Sequence, residues 1–375
     1  MMVQEIIFHI GDCKTGTTSI QTTLAKGLFS APGHSYLYPC QLNHIPLADT
    51  LRGPENPTLR HERWSKVANR ILGSAQQTAF ISAETFEFIQ PDLLARTIDQ
   101  HFSGFSGQIR FISYIRPHAE RFVADFSEKS KQGRYFGGLD LEFKASFGPR
   151  RLRYLPRLSR WRDVFGPAYE VHPMIRSRLT DGDAVTDFLR RAFRTDAVTV
   201  DKGGAVNESL SLADMLVIRR LHQTLRDSTA YTDEIARALG WNFAALLSTL
   251  PKPTTTEKPR LYKSLAQDIH ATYRSDAAAI DATFFPEDRP MLPALERSVD
   301  LAPAEPQSMA IEDYFPADAL RIIDGFALLL RRLIEADPKH FRTSVRPEDL
   351  RGPRAKAKLA ERALGAVMTH LRGAK

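Results

Sequence analysis

The chain has 375 residues, 43% of them apolar and 25% charged, which is enough chain to bury a substantial core and the composition of a soluble globular protein. Its net charge of +7 is unevenly placed: residues 342–375 carry nine Lys/Arg against three Asp/Glu, so six of the seven surplus positive charges lie in that tail. Two cysteines exclude a disulfide framework and point to a reducing, cytoplasmic setting.

Ile6, Ile7 and Phe8 are followed at once by His9, Asp12 and Lys14, which is not the pattern of a secretory leader. The longest apolar candidate for a membrane span, "FALLLRRLI" at 326–334, is cut by two arginines and falls short of the ~20 residues a bilayer requires. The paired aromatic anchors of a nucleic-acid binder are absent.

Residues 3–10, "VQEIIFHI", read as a short strand. From Thr17 to Leu28, Ile20, Leu24 and Leu28 recur at four-residue spacing, which predicts a helix with one buried stripe. Further strands are expected at 78–82, 108–115 and 168–174, with helices near 91–102 and 117–131. Near-continuous apolar strands alternating with helices predict an α/β fold, a mostly parallel central sheet covered on both faces.

After about residue 205 the pattern turns helical. Segments 209–227, 231–250, 261–281 and 317–336 all carry three-to-four-residue apolar spacing. Five prolines in 286–306 predict irregular chain or a linker there. The Ala/Lys/Arg-rich run from Arg351 is a further helix candidate. The expected organisation is one domain over 1–336, with an α/β core to about 205 and a helical extension beyond, followed by a basic tail at 337–375.

The segment between the first strand and the first helix reads "HIGDCKTGTTSIQ" from His9 to Gln21. A glycine-bearing strand-to-helix turn is an anion site because the first helical N–H groups have no partner and the helix dipole is positive there. A triphosphate loop requires Gly, four residues, then Gly-Lys-Ser/Thr. Here four residues separate Gly11 from Gly16, as the template has it, but Lys14 precedes Gly16 and Thr17, not a lysine, follows it. The triphosphate template therefore fails, which argues against a nucleotide kinase.

"HIGDCKTGTTSIQTTL" closely resembles the 5′-phosphosulfate-binding turn of bacterial sulfotransferases, which have the P-loop-like fold and are related to carbohydrate sulfotransferases. "FISAETF" at 80–86, "YIRPHAERFVADFSEKSKQG" at 114–133, "HPMIRSRLTDGDAVTDFL" at 172–189 and "NESLSLADMLVIRRL" at 207–221 resemble later blocks of the same group. The resemblance implies transfer of a sulfuryl group from 3′-phosphoadenosine 5′-phosphosulfate to an acceptor hydroxyl, a carbohydrate in this branch, with 3′-phosphoadenosine 5′-phosphate as product and no metal.

Under that resemblance Lys14 acts at the leaving oxygen, while Thr15, Gly16, Thr17 and Thr18 cradle the 5′-phosphate. Glu84, just past a strand end, matches the family's catalytic base. His9 is the runner-up, although its place inside a strand suits a core histidine better, and His118 stands third. Arg116 is expected at the 3′-phosphate. Where the family has a serine eight residues later this chain has Ala124, leaving Ser127 or Lys131 to compensate. Arg121 is either a further contact or, as its place on the helix suggests, part of a solvated face, and Cys13 is expected as an inert loop residue. The basic tail suits a weak contact with an acidic surface or simply a solvated helix. Ala124 also keeps open a non-catalytic nucleotide-binding or scaffold protein.

Overall fold

The computed structural model describes residues 2–146, 152–201, 210–251 and 256–345; the expected helix from Arg351 and the first residues of the 207–221 block lie outside them. In chain order the elements are β1 (Glu5–His9), α1 (Thr17–Lys26), β2 (Phe29–Ser30), β3 (Tyr36–Leu37), α2 (Ile45–Arg52), α3 (Pro57–Leu72) and β4 (Thr78–Ser82). A 3-10 turn (Glu84–Phe88) leads to α4 (Pro91–His101), β5 (Gln108–Ile115), α5 (His118–Lys131), α6 (Leu139–Ser146), α7 (Leu155–Phe165), β6 (Tyr169–Pro173), α8 (Ala184–Phe193) and β7 (Thr199–Val200). Helices follow: α9 (Leu212–Leu225), α10 (Asp233–Leu247), α11 (Lys263–Phe284), α12 (Met291–Asp300), α13 (Ala317–Ala336) and α14 (Pro338–Ser344).

Residues 1–124, 143–206 and 261–304 form one compact unit. Its centre is a five-stranded sheet in the order β3-β4-β1-β5-β6, parallel throughout. Ile6, Ile7 and Phe8 of β1 and Ala79, Phe80 and Ile81 of β4 are all fully buried. Helices on both faces demand such unbroken apolar strands, and each large side chain so buried contributes roughly 2–3 kcal/mol. Phe80, Tyr114, Ile20, Leu24 and Phe188 pack α1 and α8 onto one face.

From β1 the chain moves to β3 and β4 on one side, then crosses to β5 and β6 on the other. The strand order therefore reverses at β1, and the carboxyl ends of β1, β4 and β5 border the crevice such a reversal creates. His9 ends β1 in register with Ser82 of β4 and Ile112 of β5. The turn at 9–21 sits at this edge.

One expectation fails in this unit. The proline-rich stretch 286–306 contains a regular helix, α12. Pro293 falls in its first turn, where a missing N–H costs nothing because those groups have no intrahelical acceptor. Asp281, near the end of α11, caps α12 by accepting the amides of Met291 and Leu292, both at 2.8 Å.

Residues 125–142, 207–260 and 305–375 form a second unit, whose described part is helical. Leu225, Ile235, Leu239, Leu330, Ile334 and Phe341 make its core from α9, α10, α13 and α14. Arg220 of α9 grips Asp324 of α13 with two 2.7 Å hydrogen bonds. No helix among the described residues is long and apolar enough to cross a membrane.

Candidate active site

The turn after β1 is folded by its neighbours before it meets any ligand. Ile10 and Asp12 donate their amides to Ile112 O and Tyr114 O, each at 3.0 Å, which carries β1's pairing with β5 past the strand end. Ser113 Oγ donates to Gly11 O at 3.1 Å. Gly11 has φ +49°, and a Cβ there would stand 2.6 Å from Thr17 Cγ2 and 3.3 Å from Glu84 Cα. Only glycine lets the chain pass between them.

Lys14 takes the left-handed conformation, φ 68°. A side chain other than Gly, Asn or Asp rarely adopts it, so surrounding contacts must enforce it. The contacts are visible on both sides of Lys14. Thr15 Oγ1 donates back to Asp12 O at 2.5 Å, and the Cys13 amide donates to Glu87 Oε2 at 2.6 Å. Gly16 then serves as the N-cap of α1, at φ 79° and without a side-chain cap. The first amides of α1 therefore receive no side-chain cap from Gly16. Thr15 and Thr17 are buried, Gly16 is half-buried and Thr18 is exposed.

Beneath the turn lies an ionic cluster that sequence reasoning missed. Asp12 Oδ2 is 2.6 Å from Arg157 Nη2 and 3.6 Å from Arg121 Nη1, and Arg121 Nη2 is 3.0 Å from Glu87 Oε1. Asp12, Glu87 and Arg121 are all buried. Burial pushes the Asp12 carboxyl up to about 7, against the pull of Arg157. Against the cost of its own burial, Asp12 and Glu87 hold Arg157 firmly charged. Burial, reinforced by Glu87, raises the Cys13 thiol far above the ordinary thiol range, the direction opposite to that of a reactive thiolate. Arg121 is a correction: it does not lie on a solvated face but is 4% exposed inside this cluster, because α5 turns that side toward the carboxylates of Asp12 and Glu87.

Glu84 opens the 3-10 turn after β4 and is half-buried. Its Oε2 accepts from Gln21 Nε2 at 3.1 Å, and the same amide donates to Ser82 Oγ at 3.2 Å. Gln21 is buried on α1, one turn beyond Thr17. One helix therefore carries both the amides that begin at the turn and the side chain that donates to Glu84. Gln21 stands inside the quoted motif, so its signal was present and unread.

His9 is wholly buried, with Nδ1 2.8 Å from Ser82 Oγ and its ring against Phe188. Burial drops its pKa to about 3. His44 lies on the other side of the same residue: its Nδ1 accepts the Ser82 amide at 3.1 Å, its own amide donates to Ser82 O at 2.7 Å, and burial takes it to about 3 as well. His118 is fully buried, 3.0 Å from Asp276 Oδ2 and stacked on Tyr273. Asp276 also accepts the amides of Tyr154 and Leu155 at the start of α7, the helix that delivers Arg157.

Arg116 follows directly on β5, half-buried, and its carbonyl accepts from Tyr154 Oη at 2.8 Å. The structure thus brings Lys14, Thr15 to Thr18, Glu84 and His9 to the ends of β1 and β4, with Arg116 at the end of the next strand, β5. Ala124 lies on α5 within the first unit. Ser127 and Lys131 lie further along α5 in the second unit, where Lys131 Nζ is 2.7 Å from Glu128 Oε2.

No family model matches the chain, and no curated protein does. Among solved structures it is similar to one described as a sulfotransferase from Alicyclobacillus acidocaldarius, at 12% identity and a TM-score of 0.39, over 76% of this chain and 96% of that one.

Proposed function

We propose that the chain transfers a sulfuryl group from 3′-phosphoadenosine 5′-phosphosulfate to an acceptor hydroxyl, a carbohydrate's by the branch its motif resembles. The observation that supports the reading is the coupling of the turn to Glu84 through Gln21: the helix that begins at the turn also donates to the carboxylate. In this reading the amides from Thr15 to Thr18 hold the donor's 5′-phosphate, and the hydroxyls of Thr17 and Thr18 add to them. Arg116 takes the 3′-phosphate, its planar fork suiting phosphate oxygens.

Glu84 accepts the acceptor's proton as its oxygen bonds to sulfur. Lys14 stabilises the charge that collects on the phosphate oxygen as the old sulfur–oxygen bond breaks. Positioning and charge stabilisation supply most of the rate in such transfers. His9 serves as framework: a histidine driven to about 3 by burial is neutral at working pH and braces Ser82. The enforced left-handed backbone at Lys14 supports this division of labour, because strain of that kind collects where a side chain must be held in place.

Calorimetric titration with 3′-phosphoadenosine 5′-phosphate, adenosine 5′-phosphate and ATP tests the reading. The 3′-phosphorylated nucleotide is expected to bind at least about tenfold tighter than adenosine 5′-phosphate, a difference of roughly 1.4 kcal/mol. Tighter binding of ATP overturns the reading in favour of a kinase, and binding without transfer to any hydroxyl favours the non-catalytic alternative.

A further inference from the structure

Helix α13 carries an apolar face that the fold leaves outside. Ile322, Leu328, Leu329 and Leu333 are each more than half exposed, and Phe326 is 43% exposed. The opposite side of the helix, with Leu320, Ala327, Leu330 and Ile334, is already buried in the second unit. Scattered exposed leucines require no explanation, but five large apolar side chains along one helix mark an interaction surface.

The pattern of the other residues on that face says what covers it. Gly325 is exposed at its centre, with nothing within 4 Å of where a Cβ would stand. A glycine there costs helix propensity and gives no packing in return, but it lets a second helix approach closely. Asp318 and Arg332 lie seven residues before and after Gly325, both exposed. Seven residues are nearly two full turns, so both charges share the side of Gly325, about 10 Å from it along the axis. Asp324 and Arg331, by contrast, are held by Arg220 and Glu335 within the unit.

We infer that α13 pairs antiparallel with α13 of a second copy of this chain, crossing at Gly325. A two-fold axis through that glycine sets Asp318 of each copy opposite Arg332 of the other and closes two identical ion pairs around the apolar stripe. A parallel pairing sets Asp318 against Asp318 and Arg332 against Arg332, which repel. The face is therefore self-complementary in one orientation only, as an isologous two-fold interface requires. The pairing is independent of the chemistry at the turn after β1.

Sedimentation equilibrium of the full chain over roughly 1 to 500 micromolar brackets the affinity expected of an interface this small. A monomer–dimer equilibrium is expected. Leu329→Glu weakens it by at least about tenfold, since a buried charge replaces a central anchor. Asp318→Arg also weakens it, and Asp318→Arg combined with Arg332→Asp restores it to within about threefold, because the swapped charges meet again across the axis. All these positions are exposed, so the variants keep the fold, and circular dichroism verifies that. Three results each overturn the inference. One is a monomer across the whole range, whether the face is covered by residues 346–375 or taken up by lipid vesicles. Another is a dimer indifferent to Leu329→Glu. The third is a charge swap that fails to restore what Asp318→Arg removes.

Discussion

Glu87 holds two parts of the buried cluster beneath the turn at once. Its Oε1 is 3.0 Å from Arg121 Nη2, its Oε2 accepts the Cys13 amide at 2.6 Å, and it is 8% exposed. Glu87→Ala removes both acceptors at once, in a place water does not readily reach. Breaking a buried pair from one side costs about 3–5 kcal/mol, and an orphaned buried amide costs about 1–3 kcal/mol. Asp12, 3.6 Å from Arg121 Nη1, retains part of the attraction, so the expected loss is about 3–5 kcal/mol rather than the full sum. Urea unfolding at pH 7.5 measures it, with an unchanged slope showing that the unfolded state is unaffected. The paired variant Arg121→Met isolates the interaction: in the double variant the loss is expected to be about 1–3 kcal/mol smaller than the two single losses added. A coupling below about 0.5 kcal/mol, or a Glu87→Ala protein as stable as the wild type, refutes the view that this cluster braces the turn.

Lys14→Ala is expected to melt as the wild type does yet lose about a hundred- to a thousandfold in turnover, read in a radiolabelled sulfate-transfer assay; near-normal turnover removes Lys14 from the chemistry. Glu84→Gln is expected to cut turnover by about a hundred- to ten-thousandfold while leaving affinity for 3′-phosphoadenosine 5′-phosphate within a few-fold, because a base moves rate and a binding group moves affinity. His9→Asn reverses that order, costing stability first, and full activity in Glu84→Gln beside a folded but dead His9→Asn exchanges the two roles. Both His9 and His44 are held near 3, below their ordinary 6.5, so the unfolded chain binds protons that the folded one does not. Stability is therefore expected to fall as pH drops from about 6.5 toward 3, and His9→Asn is expected to flatten that slope in pH-dependent thermal melts. Gly11→Ala is expected to cost about 1–3 kcal/mol in the same melts, since a methyl group 2.6 Å from Thr17 Cγ2 must displace it at a positive φ.

The sequence alone was sufficient wherever one short stretch of chain carries its own cause. The strands 78–82 and 108–115 stand where their apolar runs set them, and the helix 317–336 follows its apolar spacing. The turn at Gly11 to Thr18 was legible as a turn because its two glycines punctuate the chain between an apolar strand and an apolar-striped helix, and both take positive φ. Glu84 and Arg116 were legible only as positions just beyond strand ends. Strand β3 was not, since two residues have no periodicity to read; nor was α12, whose prolines pointed to a linker until Asp281 capped it from another helix.

The tertiary structure alone decided which charges are buried together. Asp12 meets Arg157 from 145 residues away, and Glu87 reaches Cys13 across 74. An arginine in α5 reads as solvated from its own neighbours, because a helix offers many polar residues to water and few to a carboxylate. Arg121 is buried because Asp12 and Glu87 arrive from β1 and from the turn after β4, and desolvation is repaid only when opposite charges from separate elements converge. Propensity and spacing act over a few residues, so they fix elements and turns. Coulomb attraction and desolvation act through space, so they are settled only when the sheet order has placed β1 between β4 and β5.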